Sequence, residues 1–187
     1  MKRINSFCSK LVLLVSCLLL VQVLGYTQPG DIGDTAPEIS LPDPDGNIIK
    51  LSDLRGKVVL VDFWASWCGP CRFSNKRIKP LYENYKPAGF EILGVSIDND
   101  IDAWKRAIKS DKITWLQVNQ QGNWKSEVAL QWNIEALPTT ILIDREGKIL
   151  AVDPSEEHLE KILKKVLKCV VKTSGQSIPA TGKWCRR

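Results

Sequence analysis

Short buried strands alternate with helices along this chain and predict an α/β sandwich built on a mixed central sheet, with helices on both faces. Three observations carry that reading. Val58-Val59-Leu60-Val61-Asp62-Phe63 and Phe90-Glu91-Ile92-Leu93-Gly94-Val95-Ser96-Ile97 are continuous rather than alternating apolar runs, as strands covered on both sides require. The stretch between them, from about Pro70 to Tyr85, reads as a helix. The chain then ends its domain with a hairpin and an amphipathic helix.

The elements follow in order. Residues 26–50 are rich in Pro, Gly and Asp, so they read as turns around short extended pieces. Asp45-Gly46-Asn47, set between Ile39–Leu41 and Ile48–Leu51, predicts a small N-terminal hairpin extension. After the second buried strand, Ile101 to Ile108 forms a helical patch with Trp104 and Ile108 on one face. Trp115 to Val118 is expected as a short strand and Lys125 to Trp132 as a short helix. Thr139–Asp144 and Lys148–Val152 form a hairpin around Arg145-Glu146-Gly147. In the last helix Asp153 is the expected cap, Pro154 suits the first turn and Glu156 completes a capping box. Leu159, Ile162, Leu163, Val166, Leu167 and Val170 follow helical spacing behind it.

Composition sets the class. At 187 residues, 44% hydrophobic and 25% charged, the chain is an ordinary globular domain with no repeat or low-complexity tract. Its net charge of +5 is unevenly placed. Lys2, Arg3 and Lys10 fall in the first 25 residues, which hold no acid; without them 23 basic residues face 21 acidic ones, so no nucleic-acid partner is called for. That basic start runs into the apolar stretch Leu11–Leu24 and ends at Gly25, the layout of a secretory signal. Cleavage near Gly25 is expected, with an uncleaved anchor, or lipidation of Cys17 in Leu14-Val15-Ser16-Cys17, as open variants and the sole route to a membrane. The division is therefore 1–25 signal or anchor, 26–168 domain and 169–187 basic tail. Four cysteines remain after export: Cys68, Cys71, Cys169 and Cys185.

The chemistry concentrates in Trp67-Cys68-Gly69-Pro70-Cys71. A buried strand delivers Cys68 to a helix start, where free N–H groups and the positive dipole end stabilise a thiolate. Cys71, one turn on, is close enough to attack a mixed disulfide formed on Cys68. Gly69 permits the tight geometry, and Pro70 fits a first turn whose N–H would go unused. Such a pair cycles between dithiol and disulfide without rearranging the fold.

The run Val58 to Cys71, ending Asp62-Phe63-Trp64-Ala65-Ser66-Trp67-Cys68-Gly69-Pro70-Cys71, resembles the active-site strand and helix start of thioredoxins. Gly33-Asp34-Thr35-Ala36-Pro37, Leu51-Ser52-Asp53-Leu54-Arg55-Gly56-Lys57 and Leu137-Pro138-Thr139-Thr140-Ile141-Leu142-Ile143-Asp144 are similar to the exported TlpA/ResA-like branch, within the AhpC/TSA grouping. The resemblance spans roughly Gly30 to Lys168. It implies a thioredoxin fold, Cys68 as attacking thiol, Cys71 as resolving thiol, and Asp62 as the buried proton acceptor for Cys71. It also implies a cis-proline at Pro138 after Leu137, facing the cysteines, with a substrate surface that includes Trp67, Gly69 and Pro70. Protein thiols and disulfides would be the substrates, an upstream electron donor the second partner, and the bacterial periplasm the expected compartment. No cofactor or metal is called for. The family commonly continues with an acid and a proline where this chain has Ser74 and Lys76; with Arg77 and Lys79 these make the helix cationic, which favours the thiolate if they approach it.

Plainer readings compete. Asp62 is otherwise a strand-end residue open to solvent. His158 is the only histidine and is expected on the surface. Trp104, Trp115, Trp124 and Trp132 are expected to pack the core. A Cys169–Cys185 disulfide is expected to be structural and worth about 3 kcal/mol by chain entropy. The functional reading is a thiol-disulfide oxidoreductase acting as a reductant. Its alternatives are a thiol peroxidase, which the absence of a Thr-x-x-Cys pattern at Cys68 disfavours, and a CxxC module that binds a metal or a partner.

Overall fold

The computed structural model describes residues 31–171. β1 (Ser40–Pro42) and β2 (Ile48–Lys50) form the expected antiparallel hairpin. Asp43 holds its turn, Oδ1 accepting from the backbone N–H groups of Asp45 and Asn47 at 2.8 Å each. The central sheet contains β3 (Val58–Trp64), β4 (Phe90–Ser96), β5 (Leu116–Asn119), β6 (Thr139–Ile143) and β7 (Ile149–Val152), in the order β5-β4-β3-β6-β7. β3, β4 and β5 are parallel; β6 and β7 run antiparallel. The sheet is therefore mixed, and every residue of β3 and β4 is buried, as their continuous apolar pattern predicts.

Four helices complete the domain: α1 (Gly69–Tyr85), α2 (Ile101–Asp111), α3 (Glu127–Gln131) and α4 (Glu156–Val171). Alternation along the strands sorts the core into two faces. Val58, Leu60, Phe90, Ile92 and Leu142 face α1 and α4, meeting Tyr82 and the α4 stripe Leu159, Leu163 and Leu167. Tyr82 anchors this face, its ring 6.3 Å from Phe90 and 5.5 Å from Trp115. Val59, Val61 and Phe63 point the other way, into a cluster with Ile39, Leu41, Leu51, Leu54 and the α3 residues Val128 and Ala129. Trp132, just past α3, packs on Phe63 with ring centroids 5.5 Å apart.

Several boundaries move from the sequence expectation, each for a local reason. Asp153 does not cap the last helix: its φ of 44° is left-handed, whereas a capping residue needs extended backbone. Ser155 takes that place, its Oγ accepting from His158 N–H at 3.3 Å, while Asp153 Oδ1 accepts from Thr140 N–H at 2.6 Å. α2 runs three residues further than expected, capped by Asp100 at Ala103 N–H (2.9 Å) and closed by left-handed Lys112. The 125–132 helix divides into a 3-10 turn at Asn123–Lys125 and α3, because Ser126 adopts extended backbone and caps Ala129 N–H. α1 lacks a proline at 76 but carries Pro80 one turn later.

The N-terminal segment pairs with the outer edge of β7. Gly33 N–H donates to Ile149 O (2.8 Å), Ile149 N–H to Asp34 O (2.9 Å), and Ala36 N–H to Gly147 O (2.9 Å). Among the described residues no helix is long and apolar enough to cross a membrane. The signal or anchor at 1–25, Cys17, the basic tail beyond residue 171 and the expected Cys169–Cys185 bridge lie outside the described residues; the last helix continues to Val171, three residues past the expected domain end.

Candidate active site

β3 ends at Trp64 and the chain turns through Ala65–Trp67 into α1, with Cys68 as the capping residue. Cys68 has extended backbone, and its Sγ accepts from Cys71 N–H at 3.2 Å, so the sulfur occupies the position where a side-chain oxygen usually caps a helix. Gly69 and Pro70 are exposed in the first turn, where proline forfeits no hydrogen bond. Cys68 and Cys71 are joined by a disulfide, their Cα atoms 5.3 Å apart. The two cysteines singled out in the sequence are thus brought together.

The loop before Cys68 is held from below by a carboxylate that sequence reasoning missed. Asp98, buried just after β4, accepts from Ser66 N–H (2.8 Å), Ser66 Oγ (2.7 Å) and Ser96 Oγ (2.8 Å). Asn119 donates in turn to Ser96 Oγ (2.9 Å) and to Asp98 O (3.1 Å). From above, Arg72 donates to Ser66 O at 3.2 Å. These bonds fix the backbone that sets the direction of Cys68.

The cationic continuation of α1 does not gather at the sulfur. Arg72 binds buried Asp111 through both Nε and Nη2, and Lys76 lies 3.9 Å from the same carboxylate. Arg77 pairs with Glu156 (2.6 Å) and Lys79 lies 3.9 Å from Glu83. Each of the four cations thus has an acidic neighbour, and their charge is spent locally. The helix start and its N–H groups are left as the stabilising influence at Cys68.

Asp62 lies on β3 and is only 4% exposed, which rules out the solvent-facing strand end. Its register partners are Thr140 on β6 and Gly94 on β4. Burial pushes its carboxyl up to about 7, and the negative charge of Asp153 adds to the rise. A groove of about 370 Å³ between α1 and the start of α4, lined by Phe73, Ser74, Arg77, Thr140 and Ser155, reaches the strand position beside it.

The Leu137–Pro138 peptide is cis and leads into β6. Because Thr139 pairs with Phe63, this half-buried loop lies at the same end of the sheet as the cysteines. Trp67, 55% exposed, flanks Cys68, and Trp124 stands edge-on to it at 6.3 Å. Trp124 is 41% exposed, contrary to the core role expected of it, because the 3-10 turn at Asn123–Lys125 lifts it from the sheet. Trp104, Trp115 and Trp132 are buried as expected, and His158 is exposed on α4.

Comparison with known proteins agrees with this geometry. The AhpC/TSA family model matches residues 32–152. Thiol-disulfide oxidoreductase ResA of Bacillus subtilis is 33% identical over 144 residues, covering 72% of this chain and 79% of its own. ResA of Geobacillus kaustophilus is 32% identical over 162 residues, covering 78% and 91%. Among solved structures, a thiol-disulfide oxidoreductase from Bacteroides fragilis is 41% identical, with a TM-score of 0.67 over 71% of this chain and 98% of its own. The thioredoxin domain of a thiol-disulfide oxidoreductase from Bacteroides vulgatus is 38% identical, with a TM-score of 0.68 over 73% and 98%.

Proposed function

Because this chain belongs to the AhpC/TSA family and is a thioredoxin-like thiol-disulfide oxidoreductase, we propose that it reduces protein disulfides in an exported compartment, the bacterial periplasm, through Cys68 and Cys71. The observation that carries this reading is the Cys68–Cys71 disulfide at the start of α1, together with a buried carboxylate, Asp62, on the strand that leads into that helix.

In the reduced protein Cys68 is the nucleophile. Its thiolate, favoured by the N–H groups of the first turn, attacks one sulfur of a substrate disulfide and expels the other as a thiolate. Cys71 then resolves the mixed disulfide: Asp62 takes the Cys71 proton, Cys71 attacks Cys68 Sγ, and the second substrate sulfur leaves. The substrate gains two electrons, the pair becomes the Cys68–Cys71 disulfide, and an upstream thiol donor restores the dithiol. An Asp62 carboxyl near 7 can exchange a proton at neutral pH, which supports that role. Trp67, Gly69, Pro70, Leu137 and Pro138 form the surface that an extended substrate meets, and half-exposed Trp124 extends it. The division into 1–25 signal or anchor, 26–168 catalytic domain and 169–187 tail completes the reading, with a structural Cys169–Cys185 bridge in the tail.

Insulin reduction by the purified protein and by Cys68→Ser, run beside a peroxide-consumption assay, tests it. Turnover that vanishes in Cys68→Ser, with negligible peroxide use, is the expected result. Peroxide consumption without disulfide turnover would replace it with the peroxidase reading, and tight stoichiometric metal without turnover with the binding module.

A further inference from the structure

Three polar side chains between α1 and the sheet each hold one buried atom without a hydrogen-bond partner. Indole nitrogens aside, the buried side-chain atoms in this condition among the described residues are Asp62 Oδ1, Asn75 Nδ2 and Gln117 Nε2. That set is one acceptor and two donors. An orphaned buried group ordinarily costs more than a made hydrogen bond returns, so three of complementary chemistry in one layer call for a reason.

Register brings them together. Asp62, Gly94 and Gln117 are lateral neighbours across β3, β4 and β5 and share the face that α1 covers. Gly94 supplies the passage: a methyl group there would overlap the Gln117 amide, so the amide lies over β4 toward Asp62, one strand spacing of roughly 5 Å away. Its orientation is set by chemistry, because Trp64 Nε1–H donates to Gln117 Oε1 at 2.9 Å and an indole can bond only the amide oxygen. Gln117 Nε2 is thereby turned away from Trp64. Asn75, 2% exposed, follows Cys71 by one turn and belongs to the same buried stripe of α1 as Cys71 and Tyr82.

We propose that Asn75 and Gln117 are positioning residues for Asp62, their amide N–H groups donating to its ionised carboxylate directly or through one internal water. The proposal rests on the reading of Asp62 as the proton acceptor for Cys71. A carboxylate buried without donors would stay protonated and could not take a proton; two amide donors keep its ionised form within reach. Neither amide touches the sulfur, so both act through Asp62.

The test is a titration of the Asp62 carboxyl carbon by NMR in the oxidised full-length protein, where the cysteines do not titrate. Asn75→Leu and Gln117→Met each remove one donor, and the Asp62 midpoint is expected to rise by roughly one pH unit in each. The pH profile of insulin reduction should move in the same direction, and should not move when either substitution is made in an Asp62→Asn background. Asn75→Leu breaks no hydrogen bond in this structure, so it carries the test if Gln117→Met fails to fold. An unmoved midpoint in folded Asn75→Leu overturns the proposal. A moved midpoint with an unmoved turnover profile supports the coupling and instead removes Asp62 from the proton transfer.

Discussion

Replacing Asp62 with asparagine should stabilise the oxidised protein by an amount that depends on pH. The folded carboxyl stands at about 7 against an ordinary 3.8, and each unit corresponds to 1.36 kcal/mol. Keeping the ionised group buried therefore costs about 4 kcal/mol once the pH exceeds the folded value. The sign follows from proton counting. Between pH 3.8 and 7 the unfolded chain has released this proton while the folded chain retains it, so stability falls as pH rises through that window. Below it, acid and amide are both neutral and the variants should be alike within about 1 kcal/mol; near pH 8 the asparagine protein should be ahead by up to about 4 kcal/mol. Urea unfolding of both proteins with the disulfide closed, from pH 4 to 8, measures the difference directly. A gap that does not change with pH, or an asparagine variant that is the weaker one at pH 8, would refute the assignment of a costly buried charge at Asp62.

Further outcomes follow from the geometry around it. Arg72→Ala leaves the Asp111 carboxylate buried without its bidentate partner and should cost about 3 kcal/mol, read as a lowered urea midpoint at unchanged slope. Gly94→Ala forces a methyl into the Gln117 amide and should cost about 1–3 kcal/mol, with a matching fall in Tm. Trp124→Ala should raise KM for insulin about fivefold, as expected from losing about 1 kcal/mol of aromatic contact, while reduction of a small symmetrical disulfide is unchanged.

Most of the fold was legible because burial on both faces of a strand leaves an unbroken apolar run, and β3 and β4 display it. Cys68 and Cys71 were legible for a different reason: their chemistry needs a fixed spacing across one helical turn. The misses share a cause in long-range contact. The carboxylate that binds Arg72 is 39 residues away, and nothing local marks Asp111 as its partner. Trp124 reads as core by composition, yet a 3-10 turn decides its exposure. Asp153 and Ser155 both suit a cap, and the pull of Thr140 N–H on Asp153 settles the choice. Asn75 did leave a trace, as an amide on the otherwise apolar stripe four residues after Cys71, and a polar residue on a buried stripe is the signal that would have found it.

The pairing of residues 33–36 with β7 also gives the domain a polarity. Thr35 bridges Lys148, beside the Ile149–Ile143–Val59 end of the sheet, whereas Cys68 follows the opposite end at Trp64. β3 alone separates those ends by about 20 Å. Residues 33–36 thus close the outer edge of β7 at the pole remote from Cys68. Backbone groups on the outer edge of β7 are satisfied there within the chain, so that stretch offers no template for a strand from another molecule.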